Sequence, residues 1–227
     1  MSFAGRPENK FLMRMTFLLL SRCTTAAFIA VLIIALAACA TVPSPARPSV
    51  SPDLAWQARK SGLIQLQSWT LNGRIAIKNE RDAWNASIHW QQRESDYDIR
   101  LSTSLGQGVA RLQGNPSGVT FSAPDEEETA ADVTELLRKH LGWAVPIEGL
   151  RYWVLGLPDP HHEQIKELDD RGRLVWLEQS GWHIEFIRYQ QAGGLELPGK
   201  IVLKHPELQV RLMIDRWEPG SSLLFDG

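Results

Sequence analysis

Trp84-Asn85-Ala86-Ser87-Ile88-His89-Trp90-Gln91 alternates apolar with polar residues along its whole length. A period of two puts Trp84, Ala86, Ile88 and Trp90 on one face of a strand and the polar residues on the other. One face is aromatic and the other wet, as in an antiparallel sheet with one solvated side. The flanking segments repeat the pattern. Upstream, Leu71, Gly73, Ile75 and Ile77 alternate with Asn72, Arg74 and Lys78, and a turn at 79–82 follows. Downstream, a polar turn at 92–96 leads to Tyr97, Ile99 and Leu101 alternating with Asp98, Arg100 and Ser102. Three such runs with short connections predict a meander.

Ser104-Leu105-Gly106-Gln107-Gly108 then breaks the alternation. Leu105 is either a loop-tip residue or the next core position after Tyr97, Ile99 and Leu101, and spacing alone leaves both open. Strands are expected at 109–112 and 119–121 around the turn Asn115-Pro116-Ser117-Gly118. Pro124-Asp125-Glu126-Glu127-Glu128 reads as a solvated acidic lead-in to a helix N-terminus. Thr129 caps that helix, with Asp132 at the capping-box position. Val133, Leu136, Leu137, His140 and Leu141 form its apolar stripe, and Gly142 ends it. Pro146 opens another helix, with Gly156 and Pro158 as its stop. Leu174, Trp176, Trp182, Ile184 and Phe186 mark two strands around the turn Gln179-Ser180-Gly181. A last pair covers 198–203 and 208–217, and the tail from Glu218 is expected to be unstructured. Asp53 opens a further helix reaching about Gln67.

Connections are short and no βαβ spacing is present. The chain therefore reads as mainly β with helices (α+β): an incomplete antiparallel β-barrel, or strongly curved sheet, with a helical lid over an apolar cavity. Trp84, Ile88, Trp90, Ile99 and Leu101 are the candidates for lining that cavity.

The N-terminal segment sets the compartment. Ala26 to Leu36 is an unbroken apolar run preceded by Arg14 and Arg22, and at this length it falls short of the ~20 residues of a membrane span. Leu36-Ala37-Ala38-Cys39 follows and resembles the bacterial lipobox. That resemblance implies diacylglyceryl transfer to the Cys39 sulfur, cleavage before Cys39 and acylation of the new amino terminus. Residues 1–38 are then a lipoprotein signal peptide with a possible N-terminal extension. Residues 39–52, with Pro43, Pro45, Pro48 and Pro52, form a lipidated flexible tether, and 53–227 a single domain. The chain has 24 basic and 26 acidic residues. Loss of Arg6, Lys10, Arg14, Arg22 and Glu8 leaves 20 and 25, a net charge of −5 that argues against nucleic acid. Cys23 leaves with the signal and Cys39 is consumed by lipid, so no thiol remains for a disulfide or a zinc site.

No catalytic constellation emerges. His161-His162-Glu163 lacks the spacing of a helical zinc motif and follows Asp159-Pro160, which marks a loop. No nucleophile elbow or phosphate loop is present. The reading is of a monomer without enzyme activity, cofactor or metal.

Trp90-Gln91-Gln92, Leu105-Gly106 after the third strand, Leu150-Arg151-Tyr152-Trp153-Val154-Leu155-Gly156-Leu157-Pro158, Gly172-Arg173-Leu174, Gly181-Trp182, Leu197-Pro198 and Ile214-Asp215-Arg216-Trp217 occur in that order. Together they resemble the outer-membrane lipoprotein receptor family LolB, over roughly 56–217. The resemblance implies an open barrel with a helical lid at the periplasmic face of the outer membrane. It also implies acceptance of acylated lipoprotein cargo from the periplasmic carrier LolA and insertion of that cargo into outer-membrane lipid. The family's loop leucine for insertion maps onto Leu105, with Gly106 beside it. The family commonly has Pro before this pair, where this chain has Ser104. The alternative is a tethered, lipocalin-like outer-membrane lipoprotein that binds a hydrophobic ligand and has no carrier partner.

Overall fold

The computed structural model describes residues 51–103, 108–142 and 145–220. The expected signal peptide 1–38, Cys39, the expected tether up to residue 50, and Leu105 with Gly106 lie outside the described residues.

The chain order is α1 (Pro52–Ile64), β1 (Ser68–Lys78), β2 (Ala83–Arg93), β3 (Asp96–Ser102), β4 (Gly108–Asn115), β5 (Gly118–Ala123) and β6 (Glu126–Ala130). There follow α2 (Val133–Leu141), α3 (Ile147–Trp153), β7 (Gln164–Leu168), β8 (Leu174–Gln179), β9 (Trp182–Ala192), β10 (Leu195–His205) and β11 (Leu208–Pro219). All the strands form one antiparallel, curved sheet in the order β6-β5-β4-β3-β2-β1-β11-β10-β9-β8-β7. Short turns make sequential strands neighbours. The β1–β11 pair joins the two meanders in the middle. β6 and β7 are the edges and do not pair with each other, so the barrel is unclosed.

Register carries the apolar face across strands. Leu71 pairs with Trp90, Trp90 with Ile99, Ile99 with Leu112 and Leu112 with Phe121. A parallel row runs Gly73, Ile88, Leu101 and Ala110. Gly73 sits where the β1–β11 register shifts. A Cβ there would lie 2.2 Å from the Met213 carbonyl oxygen, so the two backbones approach as only glycine allows.

The core is aromatic. Trp69 packs on Trp90 and Trp217 at 5.1 and 5.3 Å between ring centroids. Three of the buried indole N–H groups find acceptors: Trp90 Nε1 donates to Gln92 Oε1, Trp217 Nε1 to the Pro198 carbonyl and Trp153 Nε1 to Gln179 Oε1. Gln92 in turn donates to the Glu94 carbonyl. The Trp90-Gln91-Gln92 motif thus ties a core tryptophan to the β2–β3 turn.

α1 starts at Pro52 under a Ser51 cap and stops at Ile64, short of Gln67. It rests on the β7–β8 turn through Gly172, whose Cβ would come 2.4 Å from the Trp56 backbone nitrogen. Beside it, the guanidinium groups of Arg59 and Arg173 lie over the Tyr189 ring, 5.2 and 4.9 Å from its centroid. Burial pushes the Tyr189 phenol well above the usual value, and its hydroxyl donates to the Leu174 carbonyl.

Several sequence expectations are corrected. Glu126-Glu127-Glu128 is not a lead-in to a helix but belongs to edge strand β6, paired with 121–123. Glutamate has low strand propensity, yet an edge tolerates charge and is protected by it. Thr129 lies in β6, and the α2 cap is Asp132, which accepts from Thr134 N at 2.7 Å. α3 ends at Trp153 rather than near Gly156, because the N–H groups of Leu155, Gly156 and Leu157 turn back onto the carbonyls of Tyr152 and Trp153. β7 was not anticipated; Gln-Ile-Lys-Glu-Leu has too little alternation, and pairing with β8 defines it. β11 extends through Glu218 to Pro219, beyond the expected stop at Trp217.

On β3, Asp98 accepts bidentate bonds from both Arg100 and Arg111. Partial burial would push this carboxyl up, but the hydrogen bonds and charges of Arg111 and Arg100 outweigh it and hold it down at about 2, from 3.8. A depressed carboxylate contributes stability above its unfolded value and loses it as pH falls through the folded one. Asp98→Asn should therefore be less stable than the parent near neutral pH. In acid titration of urea stability, that gap should close as pH falls through about 2.

Candidate functional site

β1 to β5 and β11 meet α2, α3 and Val145, two residues before α3, around one wholly apolar pocket. From the sheet it is lined by Ile75, Ile88, Trp90, Ile99, Leu101, Ala110, Leu112, Phe121 and Val210, and from above by Leu137, Val145, Ile147 and Leu150. Four of the cavity candidates, Ile88, Trp90, Ile99 and Leu101, therefore converge. Trp84 does not line it: it sits two residues before Ala86 near the start of β2, half-buried against the core. Ile75, Ala110, Leu112 and Phe121 complete the wall. Strand alternation would have nominated each once the register was known.

The pocket holds about 50 Å³. Ligand pockets are typically ~300–1,000 Å³. The space enclosed among the described residues is well below that range, and Leu137, Ile147 and Leu150 line its helical side. An acyl chain would fit only after helix side chains had withdrawn.

At the strand ends near the β2–β3 turn lies a larger groove of about 630 Å³, floored by Leu63, Leu66, Trp69, Leu155 and Leu157. A neighbouring cleft of about 520 Å³ shares Gln92, Ser95, Arg151, Tyr152, Asp159 and His162 with it. His161 and His162 brace this rim: the His161 N–H donates to Asp159 Oδ1, and His162 Nδ1 lies 3.0 Å from Asp159 Oδ2.

Gln179 fixes the segment after α3. It is 3% exposed. Its Oε1 accepts from Trp153 Nε1 and Asp159 N, and its Nε2 donates to the carbonyls of Asp159 and His162. Sequence reading placed Gln179 in a turn; nothing in Gln-Ser-Gly signals a buried amide with four partners.

α2 is fixed differently. His140 stacks on Phe121 with centroids 4.5 Å apart, and its two ring nitrogens face Glu126 and Glu128. These three residues could in principle donate to a cation. Lys139, however, is 2.6 Å from the Glu128 oxygen that also meets His140, and the two ring edges face different carboxylates. The arrangement is an ion-pair cluster.

Among comparisons with known proteins, a family model described as "Outer membrane lipoprotein LolB" matches residues 67–217. "Outer-membrane lipoprotein LolB" of Nitrosococcus oceani is 44% identical over 190 residues, covering 83% of this chain and 94% of the relative. The protein of the same description from Pseudomonas aeruginosa is 39% identical over 165 residues, covering 72% and 80%. The crystal structure of a DUF1329 family protein from Desulfovibrio piger superposes with a TM-score of 0.50 at 7% identity, covering 77% of this chain and 95% of that one, a likeness of fold alone. A LolA superfamily protein from Nitrosomonas europaea gives a TM-score of 0.48 at 6% identity, covering 76% and 94%. By the family match and these identities, the chain belongs to the outer membrane lipoprotein LolB family.

Proposed function

We propose that this outer-membrane lipoprotein accepts acylated lipoproteins from the carrier LolA and inserts them into the outer membrane, held there by the lipid on Cys39. The observation that carries this reading is the wholly apolar wall of the pocket, contributed by strands on one side and helices on the other, in a chain of this family. A sixteen-carbon chain exposes about 15 methylene or methyl groups, which at ~0.8 kcal/mol each is on the order of 12 kcal/mol. Such cargo needs an apolar shelter at every step through water, and a handover towards better shelter runs downhill.

In this mechanism the helices act as a lid. Leu137, Ile147 and Leu150 line the helical side of the narrow pocket. Entering acyl chains displace these side chains and take over their contacts with Trp90, Ile99 and Leu101. Exchange of one apolar surface for another keeps the opening cost low.

The test mixes cargo-loaded LolA with the full lipidated chain in liposomes. Cargo should move to the liposomes only when this chain is present; cargo remaining on the carrier would sink the reading. In the same assay, Leu101→Gln should weaken acyl photocrosslinking by about tenfold, because a buried amide without partners costs ~1–3 kcal/mol. Unchanged crosslinking in the folded variant would remove this pocket from the acyl path.

A further inference from the structure

We propose that α2 is the gate of the apolar pocket and that His140, gripped between Glu126 and Glu128 of β6, is its latch. The proposal rests on the acyl reading above and assigns the moving part. α2 contributes Leu137 to the pocket wall, and it packs on β5 and β6 at the edge of the sheet. Its last turn is basic, with Arg138, Lys139 and His140. That turn faces the glutamates of the edge strand.

The imidazole is held on one face and at both ring nitrogens. One ring face lies on Phe121, itself part of the pocket wall, at an interplanar angle of 10°. Nδ1 is 3.1 Å from Glu126 Oε2, and Nε2 is 2.7 Å from Glu128 Oε2. The side chain is 5% exposed. The charged groups facing it are Glu126 and Glu128 from β6 and Lys139 from its own helix; β5 offers the uncharged Phe121.

The two helices are therefore held by different chemistry. The C-terminal side of α3 is anchored by buried Trp153 and the buried Gln179 network. α2 is clasped by carboxylates that are themselves partly exposed, 53% at Glu126 and 34% at Glu128. Water can rehydrate these carboxylates once the clasp has opened. An acyl chain can replace what Leu137 leaves. Lifting α2 withdraws buried Leu136 and Leu137 from the core but breaks no buried hydrogen-bond network like that at Gln179, and the His140 clasp sets its rate.

The experiment follows entry of a fluorescent sixteen-carbon fatty acid into the full mature chain by stopped flow. The variants are Glu126→Gln with Glu128→Gln, and separately His140→Leu, which keeps an apolar contact on Phe121. Both should take up the fatty acid about tenfold faster, as expected for losing one to two charge-assisted hydrogen bonds on closing, with unchanged final capacity. Equal rates in parent and folded variants would overturn the latch while leaving the acyl reading intact. A lower melting temperature with reduced capacity and no acceleration would mean that His140 is only structural, which also overturns it. No uptake by any form, the parent included, would overturn the acyl reading and the latch with it.

Discussion

In a liposome transfer assay, Leu105→Glu is expected to leave the transfer of cargo from LolA unchanged and to cut its delivery into the bilayer by more than about a hundredfold. The proposal is that Leu105 enters the hydrocarbon when cargo is released. A leucine fully transferred from water gains ~1.5–3 kcal/mol. A charged side chain at depth in a bilayer instead costs ~2.5–3.5 kcal/mol. In this proposal the swing of roughly 4–6 kcal/mol falls on the inserting step. Cargo should accumulate on the variant. Leu105→Phe should retain delivery, since it keeps the apolar surface. Normal delivery by Leu105→Glu would remove this residue from the mechanism.

The second large effect is on stability. Gln179→Leu should lower the unfolding free energy by about 3–5 kcal/mol, read as a drop in urea midpoint with little change in slope. The side chains are similar in size, so packing loss is small. What changes is that Trp153 Nε1, the Asp159 N–H and the carbonyls of Asp159 and His162 lose their common partner in a buried place. Buried polar groups without partners cost far more than the net value of the bonds they had made. The loss should be concentrated in the 153–162 segment, with hydrogen exchange rising there first. A drop of less than about 1 kcal/mol would show that this network does not hold the segment after α3.

The legible parts of this protein were those governed by local periodicity. Trp84 to Trp90, Tyr97 to Leu101 and Leu208 to Ile214 alternate because one sheet face is buried, so strand identity and facing could be read residue by residue. The stripe Val133, Leu136, Leu137 and His140 gave α2 for the same reason. β6 was misread because its glutamates carry no apolar signal; pairing with Phe121, Ser122 and Ala123 makes them a strand. β7 shares that cause. Trp84 looked equivalent to Trp90, but it lies six residues earlier along β2, outside the reach of the helices.

By itself the sequence determined an antiparallel meander with one apolar face and a family-specific set of motifs, because both are written in neighbours along the chain. The tertiary structure decided what that face encloses. Side chains from α2 and α3 reduce an expected hollow to about 50 Å³. Glu126 and Glu128 meet His140, and Gln179 meets Trp153, across 12 to 26 positions. Such contacts depend on strand register and helix placement, and pattern along a chain specifies neither until the whole sheet has curved and paired.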